Sequence, residues 1–255
     1  MAVSAPQGRG SACRWPRAGR DSRICLLSGF RFELGDDERL ALPGGSQRLL
    51  AFLALRDRAV ERTAVAGTLW PEASEGHAHA SLRSAISRLE RQARDVVVTT
   101  FLDLDLAAGV AVDIRESQAL AHRMLEPGVS PGEGDLSAAA VSALSTDLLP
   151  DWYDDWVLLE AEDWRQLRLH ALEALAARLT TDGRWGDAAS AGLAAVAAEP
   201  LRESARATLI RVHLAEGNQS EALTEFARYR ALLHAELGVE PTPRLTDLVS
   251  DLQKP

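Results

Sequence analysis

Lysine, cysteine and long apolar runs are what this 255-residue sequence has least of. Cys13 and Cys25 are its only thiols, so neither a disulfide framework nor a cysteine-ligated metal site can be assembled, and a reducing compartment is expected. No stretch approaches the roughly 20 apolar residues of a membrane helix, because Leu, Ala and Val are everywhere interrupted by Arg, Asp or Glu. Arg9, Arg14, Arg17, Arg20 and Arg23 crowd the N-terminus, but no apolar stretch long enough for the core of a secretion signal accompanies them. A cytoplasmic protein with no membrane partner is the expectation. Lys254 is the sole lysine; arginine supplies every other basic side chain, a coding bias rather than a chemical choice.

A net charge of −9 argues at first against a nucleic-acid partner. The charge is uneven, however: residues 1–23 carry net +4, residues 24–115 net −2 and residues 116–255 net −11. Most of the acidity lies in the C-terminal part, which leaves room for a locally basic face nearer the N-terminus.

These three segments are also the expected domains. Residues 1–23, rich in Gly, Ser, Pro and Arg, lack periodicity and are expected to be a disordered tail. Residues 24–34 are strand-compatible, Gly35-Asp36-Asp37 is turn chemistry, and residues 39–42 return as a second strand. Ser46 precedes an amphipathic run containing Leu49, Leu50, Phe52 and Leu53, which predicts a first helix ending near Asp57 with Ser46 as its cap. Thr63 is the expected cap of a second helix over 64–70, stopped by Pro71. A third is predicted over 79–94, and residues 96–101 and 104–112 read as a terminal β-hairpin. Strands, three helices and a hairpin form the wiring of a winged helix.

Beyond residue 114 the pattern turns helical. A Pro/Gly-rich break at 126–134 is expected to mark the inter-domain region, and residues 148–156 form an aromatic and acidic turn before a long helix over 160–181. Asp182-Gly183-Arg184-Trp185-Gly186-Asp187-Ala188 aligns with Glu216-Gly217-Asn218-Gln219-Ser220-Glu221-Ala222 at an offset of 34 residues. That is the period of tetratricopeptide repeats, in which antiparallel helices meet at a Gly turn and a following Ala allows close packing. Pro200 and Pro241 end the second helix of each repeat. The expected architecture is therefore mainly α: an N-terminal winged helix with a small β-sheet, three helices and a hairpin wing, then an all-α tetratricopeptide-like domain over 116–255.

On a wheel of the third helix, Leu82, Ile86, Leu89 and Ala93 share one side. Ala80, Ser84, Ser87 and Arg91 share the other, flanked by Arg83 and Arg88. Small residues let a helix lie deep in a major groove, and arginines fork onto guanine or phosphate. Such a face is more often merely solvated, and its place between a helix and a hairpin is what favours DNA. Ser84, Ser87, Arg83, Arg88 and Arg91 are the expected base-reading set. Arg48, Ser81, Thr99 and Thr100 are expected at phosphates, although each alone is more often an ordinary surface residue. Asp103 and Asp105 on the hairpin stand against DNA, since they repel phosphates.

Other motifs carry less. Gly44-Gly45-Ser46 lacks the lysine and glycine spacing of a phosphate loop. His77 and His79 have no further ligand cluster and are expected to be solvated, not to bind metal. Asp147, Asp151, Asp154 and Asp155, among Trp152, Tyr153 and Trp156, suit a domain-packing corner better than a carbohydrate site. No Ser/His/Asp arrangement or reactive thiol is visible, so neither catalysis nor a cofactor is expected.

Several segments resemble the SARP-type activators, the antibiotic regulatory proteins. They are Leu42-Pro43-Gly44-Gly45-Ser46-Gln47-Arg48-Leu49, Leu69-Trp70-Pro71, Ser81-Leu82-Arg83-Ser84-Ala85-Ile86-Ser87-Arg88-Leu89, Leu149-Pro150-Asp151-Trp152-Tyr153-Asp154-Asp155-Trp156 and Glu236-Leu237-Gly238-Val239-Glu240-Pro241, in the family's order. The family joins an OmpR-like winged helix to a bacterial transcriptional activator domain of tetratricopeptide repeats. The resemblance implies that the third helix reads short direct repeats in double-stranded promoter DNA, as a homodimer or as tandem copies. It implies that the loop over 71–78, with Trp70, Pro71, Glu72 and Glu75, engages RNA polymerase together with the C-terminal domain. It further implies a nucleoid-associated activator of a secondary-metabolite gene cluster. Phe101-Leu102-Asp103-Leu104-Asp105 departs from the more basic wing of the family. The rival reading is a helical-repeat interaction scaffold with a degenerate winged helix that does not bind DNA.

Overall fold

The computed structural model describes residues 22–35, 38–89 and 91–253; the side chains of residues 91, 92 and 253 are not among the parts described. The expected tail over 1–21 and the turn at Asp36 and Asp37 lie outside the described residues. The fold is a winged helix followed by a tetratricopeptide-like helical domain. It opens with β1 (Ser22–Cys25) antiparallel to β2 (Arg31–Leu34), Ile24 facing Phe32, and β3 (Glu38–Arg39) on the far side of β2.

α1 (Gly44–Ala54) buries Leu49, Leu50, Phe52 and Leu53. Ser46 does not cap it: Pro43 takes that place, and Ser46 lies buried in the first turn with its hydroxyl donating to the Ala85 carbonyl at 2.8 Å. A buried hydroxyl must find an acceptor, and a carbonyl on a neighbouring helix supplies one. β4 (Val60–Glu61) runs straight into α2 (Arg62–Leu69), so Glu61 rather than Thr63 stands at the cap position.

α3 (Glu75–Ser87) starts and ends earlier than the sequence predicts, and α4 (Arg91–Arg94) is a separate turn. The Arg94 guanidinium explains the break. It donates to the carbonyls of Ser87 and Leu89 at 2.9 and 3.3 Å, satisfying groups at the helix end. β5 (Val97–Thr99) and β6 (Asp103–Leu106) form the wing and join β4 in a sheet of order β4-β6-β5. The expected second hairpin strand is in fact two. After Gly109, in the left-handed region at φ 95°, β7 (Ala111–Val112) leaves the wing and pairs parallel with β1.

α5 (Asp113–Leu125) follows β7 with no linker. The Pro/Gly-rich stretch at 126–134 therefore does not separate the two halves; it leads from α5 towards a 3-10 turn (Glu133–Leu136) and α6 (Ala138–Leu144) inside the helical part. α7 (Asp155–Thr181), α8 (Trp185–Ala198), α9 (Glu203–Glu216) and α10 (Gln219–Leu237) then pack each on the next, and the short α11 (Pro243–Asp247) closes the array.

The 34-residue repeat is repeated in backbone geometry. Gly183 and Gly217 are both left-handed, at φ 72° and 90°. Arg184 N donates to Leu179 O at 2.9 Å, and Asn218 N, 34 residues later, donates to His213 O at 2.8 Å. Ala188 and Ala222 are fully buried at equivalent places, where the helices of each pair meet.

One continuous apolar core runs from Ile24 through the winged helix to Val212, and a second, smaller one gathers Ile210, Phe226, Tyr229 and Leu245. The seam between the halves is also heavily hydrogen-bonded. The buried Asp113 carboxylate accepts from the N–H groups of Leu26, Leu27 and Ile114 at 2.8, 3.1 and 2.7 Å. Leu149 N donates to Leu26 O at 3.0 Å, and Ser28 N to Asp147 O at 2.9 Å. Arg115 donates to the Leu53, Ala54 and Arg56 carbonyls, so an α5 side chain caps the end of α1. Phe52 meets Trp156 edge-on with ring centroids 5.4 Å apart.

Candidate nucleic-acid interface

Two short amino-acid patterns build the exposed side of the winged helix. In α3, Ala78, Leu82 and Ala85 are buried against the core, which fixes the rotation of the helix and turns Arg83 and Ser87 outward. In α1, Gly45 lies against α3: a Cβ built there would make ordinary van der Waals contact, 3.7 Å from Ala85 Cβ and 3.9 Å from the Trp70 ring. The Ser46 to Ala85 hydrogen bond ties the same two helices together. Together they hold α3 at a set angle on its scaffold.

Between them lies a cleft of about 270 Å³ lined by Pro43, Gly45, Ser46, Trp70, Ser81, Ser84, Ala85 and Arg88. It brings together Ser81, Ser84 and Arg88 of the expected DNA set at the N-terminal end of α1, where the macrodipole favours an anion. Arg83 and Arg88 are exposed, and neither forms an ion pair among the described residues. Ser87 is exposed too, and its hydroxyl donates to Ser84 O at 3.0 Å. The Arg91 side chain lies outside the described residues, and its backbone belongs to α4, so the single-helix wheel that grouped it with Ser84 and Ser87 does not hold.

The remaining candidates are scattered. Arg48 is half-buried and paired with Asp154 across the seam, so its guanidinium is engaged within the protein instead of standing free for a phosphate. Thr99 is exposed on β5. Thr100 is exposed as well, but its hydroxyl accepts from Asp103 N at 2.8 Å and braces the wing turn. Trp70 is turned inward against the core, whereas Pro71, Glu72 and Glu75 are exposed. Because α3 already begins at Glu75, the loop expected over 71–78 shortens to residues 71–74. His77 stays on the surface, bonded through Nδ1 to the Ser74 hydroxyl at 3.0 Å. No group of three or more potential metal ligands occurs among the described residues.

Sequence reasoning missed the seam. Arg115 and Asp113 are the residues that fix the winged helix to the helical domain, yet each is an unremarked charge in the sequence. Burial pushes the Asp113 carboxyl up to about 6, against the opposing pull of its three backbone donors. Burial likewise pushes the Cys25 thiol up to about 11, which leaves it a poor nucleophile.

With this geometry in view, the similarities to known proteins are specific. The Bacterial transcriptional activator domain family matches residues 112–253, beginning at the β7 to α5 junction. Regulatory protein AfsR of Streptomyces coelicolor is 34% identical over 232 residues, covering 84% of this chain and 22% of that protein. Regulatory protein AfsR of Streptomyces griseus is 31% identical over 251 residues, covering 89% of this chain and 24% of that protein. The chain thus spans less than a quarter of the length of these relatives. Among solved structures, Mycobacterium tuberculosis EmbR in complex with a low affinity phosphopeptide matches with a TM-score of 0.68 at 23% identity, over 93% of this chain and 66% of that one. The solved structure supports the fold, while the family match over more than half of the chain carries the assignment: this chain belongs to the bacterial transcriptional activator domain family.

Proposed function

We propose that the chain is a sequence-specific DNA-binding activator that presents α3 to the major groove of promoter DNA and engages RNA polymerase. The observation that carries this reading is the cleft where Ser81, Ser84 and Arg88 meet the start of α1, beside an outward α3 face whose arginines are exposed and unpaired among the described residues. Ser84, Ser87, Arg83 and Arg88 face the bases, while Ser81 and the first turn of α1 hold a phosphate and set the register. Arg48 leaves the phosphate set because Asp154 already occupies it. Exposed Pro71, Glu72 and Glu75 form part of the polymerase contact.

The motif resemblance to SARP-type activators supports short direct repeats as targets, bound as a homodimer or as tandem copies, and control of a secondary-metabolite cluster from the cytoplasm. The seam suits an activator, since a rigid joint fixes the helical domain relative to the bound promoter. No catalytic role enters this reading. The test is selection of genomic fragments by purified protein and footprinting at two salt concentrations. Protected direct repeats whose affinity falls as salt rises are expected, because each neutralised phosphate releases counterions. No enrichment at low salt would transfer the function to the helical repeats as a protein-binding scaffold, the reading that the acidic wing favours.

A further inference from the structure

The wing does not fit the role its position suggests. Its turn is held rigid by Thr100, whose N–H donates to Asp103 O at 3.0 Å and whose hydroxyl accepts from Asp103 N at 2.8 Å. Arg62 N braces it from the side by donating to Leu102 O at 2.8 Å. This rigid turn presents Phe101, 94% exposed, and Leu102, 65% exposed, with Val98 half-exposed behind them. Two adjacent, nearly naked apolar side chains on a braced turn are a liability unless something covers them.

The charges around the tip decide what that is. From Asp95 to Asp113 the chain has no cation, while Asp103 and Asp105 lie between, and the basic residue that meets the turn from outside this segment is half-buried Arg62, whose backbone N–H holds the Leu102 carbonyl. In the sheet Asp105 is paired with Val98 and Asp103 with Glu61, and Leu104 and Leu106 take the inward positions of β6. The outer face of the wing therefore carries Val98, Glu61, Asp103 and Asp105 together. An apolar wedge entering a minor groove needs cations beside it to offset the phosphates, and here the side chains on that face repel them. A second copy of this chain is no better suited. Its adjacent exposed apolar side chains offer no cationic rim: Leu158 and Leu159 stand next to Asp155, with Asp154 and Glu160 already paired to Arg48 and Arg56, and Leu237 and Val239 stand between Glu236 and Glu240.

We infer that the wing tip is a protein-docking tooth: Phe101 and Leu102, rimmed by Glu61, Asp103 and Asp105, seat in an apolar hollow with a cationic rim on RNA polymerase holoenzyme, not between base pairs. This rests on the regulator reading above for the choice of partner. It adds a contact surface on the opposite side of α3 in sequence from residues 71–75.

The test uses the full chain with Phe101→Ser and Leu102→Ser combined, and separately Asp103→Asn with Asp105→Asn. Both sets alter exposed or half-exposed side chains, and unchanged thermal unfolding of each variant is the control. Three quantities are measured for each: affinity for a selected promoter fragment, binding of RNA polymerase holoenzyme to the protein without DNA, and self-association by sedimentation. The serine variant is expected to keep its promoter affinity within about threefold while polymerase binding weakens at least tenfold, and the asparagine variant to weaken polymerase binding and blunt its salt dependence. Loss of promoter affinity with polymerase binding intact would make the tip a DNA wedge and overturn the inference. So would loss of self-association alone, unchanged polymerase binding, or absence of polymerase binding by the wild type. Failure of the wild type to select DNA would instead remove the proposed function, and the DNA-free polymerase measurement would still judge the tooth.

Discussion

The arginines of the seam and those of α3 differ in where their partners lie. Arg48, Arg56 and Arg115 each find their partners inside the protein: Asp154, Glu160 and the carbonyls at the end of α1. Arg83 and Arg88, on a helix whose opposite side is sealed into the core, have no ion pair among the described residues. Composition gives all five the same meaning, because arginine stands for nearly every basic residue here. Their neighbours make the difference. A guanidinium already bonded to a carboxylate or to helix-end carbonyls offers little to a phosphate, whereas an exposed one on a rigid helix loses little on binding.

That comparison breaks most visibly at Asp113. Asp113→Ala strands three backbone N–H groups at the seam, and a loss of about 4 kcal/mol in denaturant-induced unfolding is expected; a loss below about 1 kcal/mol would mean that the seam is held by packing alone. The same carboxylate gives the seam a pH signature. Its folded pKa, about 6, lies above the ordinary 3.8, so the folded state binds the proton more readily than the unfolded chain. The stability difference between wild type and Asp113→Asn is therefore expected to move in favour of the wild type as pH falls from about 6 to about 4, followed by urea titrations across that window. A difference that is flat, or that moves the other way, would show that the group is not buried as described.

Arg115→Ala should cost about 2 to 3 kcal/mol of stability by uncapping α1, with promoter affinity per folded molecule unchanged. Arg88→Ala should do the reverse: about 1 to 3 kcal/mol of site-specific binding lost, by titration against a selected promoter fragment, with the unfolding curve unmoved. If Arg115→Ala weakens DNA binding as much as Arg88→Ala does, the division between seam and recognition face collapses. The smallest effect belongs to the wing turn, where Thr100→Ala removes the exposed hydroxyl's hydrogen bonds with the Asp103 backbone and should lower the unfolding free energy by about 1 kcal/mol or less.

The two helix pairs were the most legible part of the sequence. Gly183 and Gly217 announce a period of 34, and the structure returns the same turn hydrogen bonds at the same spacing, because a left-handed residue after a helix is a local requirement that glycine meets without strain. The core side of this segment was legible for a similar reason, since Leu82, Ile86 and Leu89 follow the helical period, though the buried Ala85 was not singled out. Its ends were not, because the break at Arg88 depends on Arg94 folding back onto Ser87 and Leu89. Ser46 was placed on the right helix and given the wrong task, its partner being a carbonyl 39 residues away.

By itself, then, the sequence determined the two-part architecture, the helical repeat and the small-residue, arginine-bearing face of α3, all of which follow from local periodicity and turn chemistry. Only the tertiary structure decided which arginines stay free, that β7 returns to β1 and runs without a linker into α5, and that Phe101 and Leu102 stand bare on a rigid acidic wing. Those outcomes depend on partners far apart in the chain, and a partner's position is set by packing rather than by any neighbouring residue.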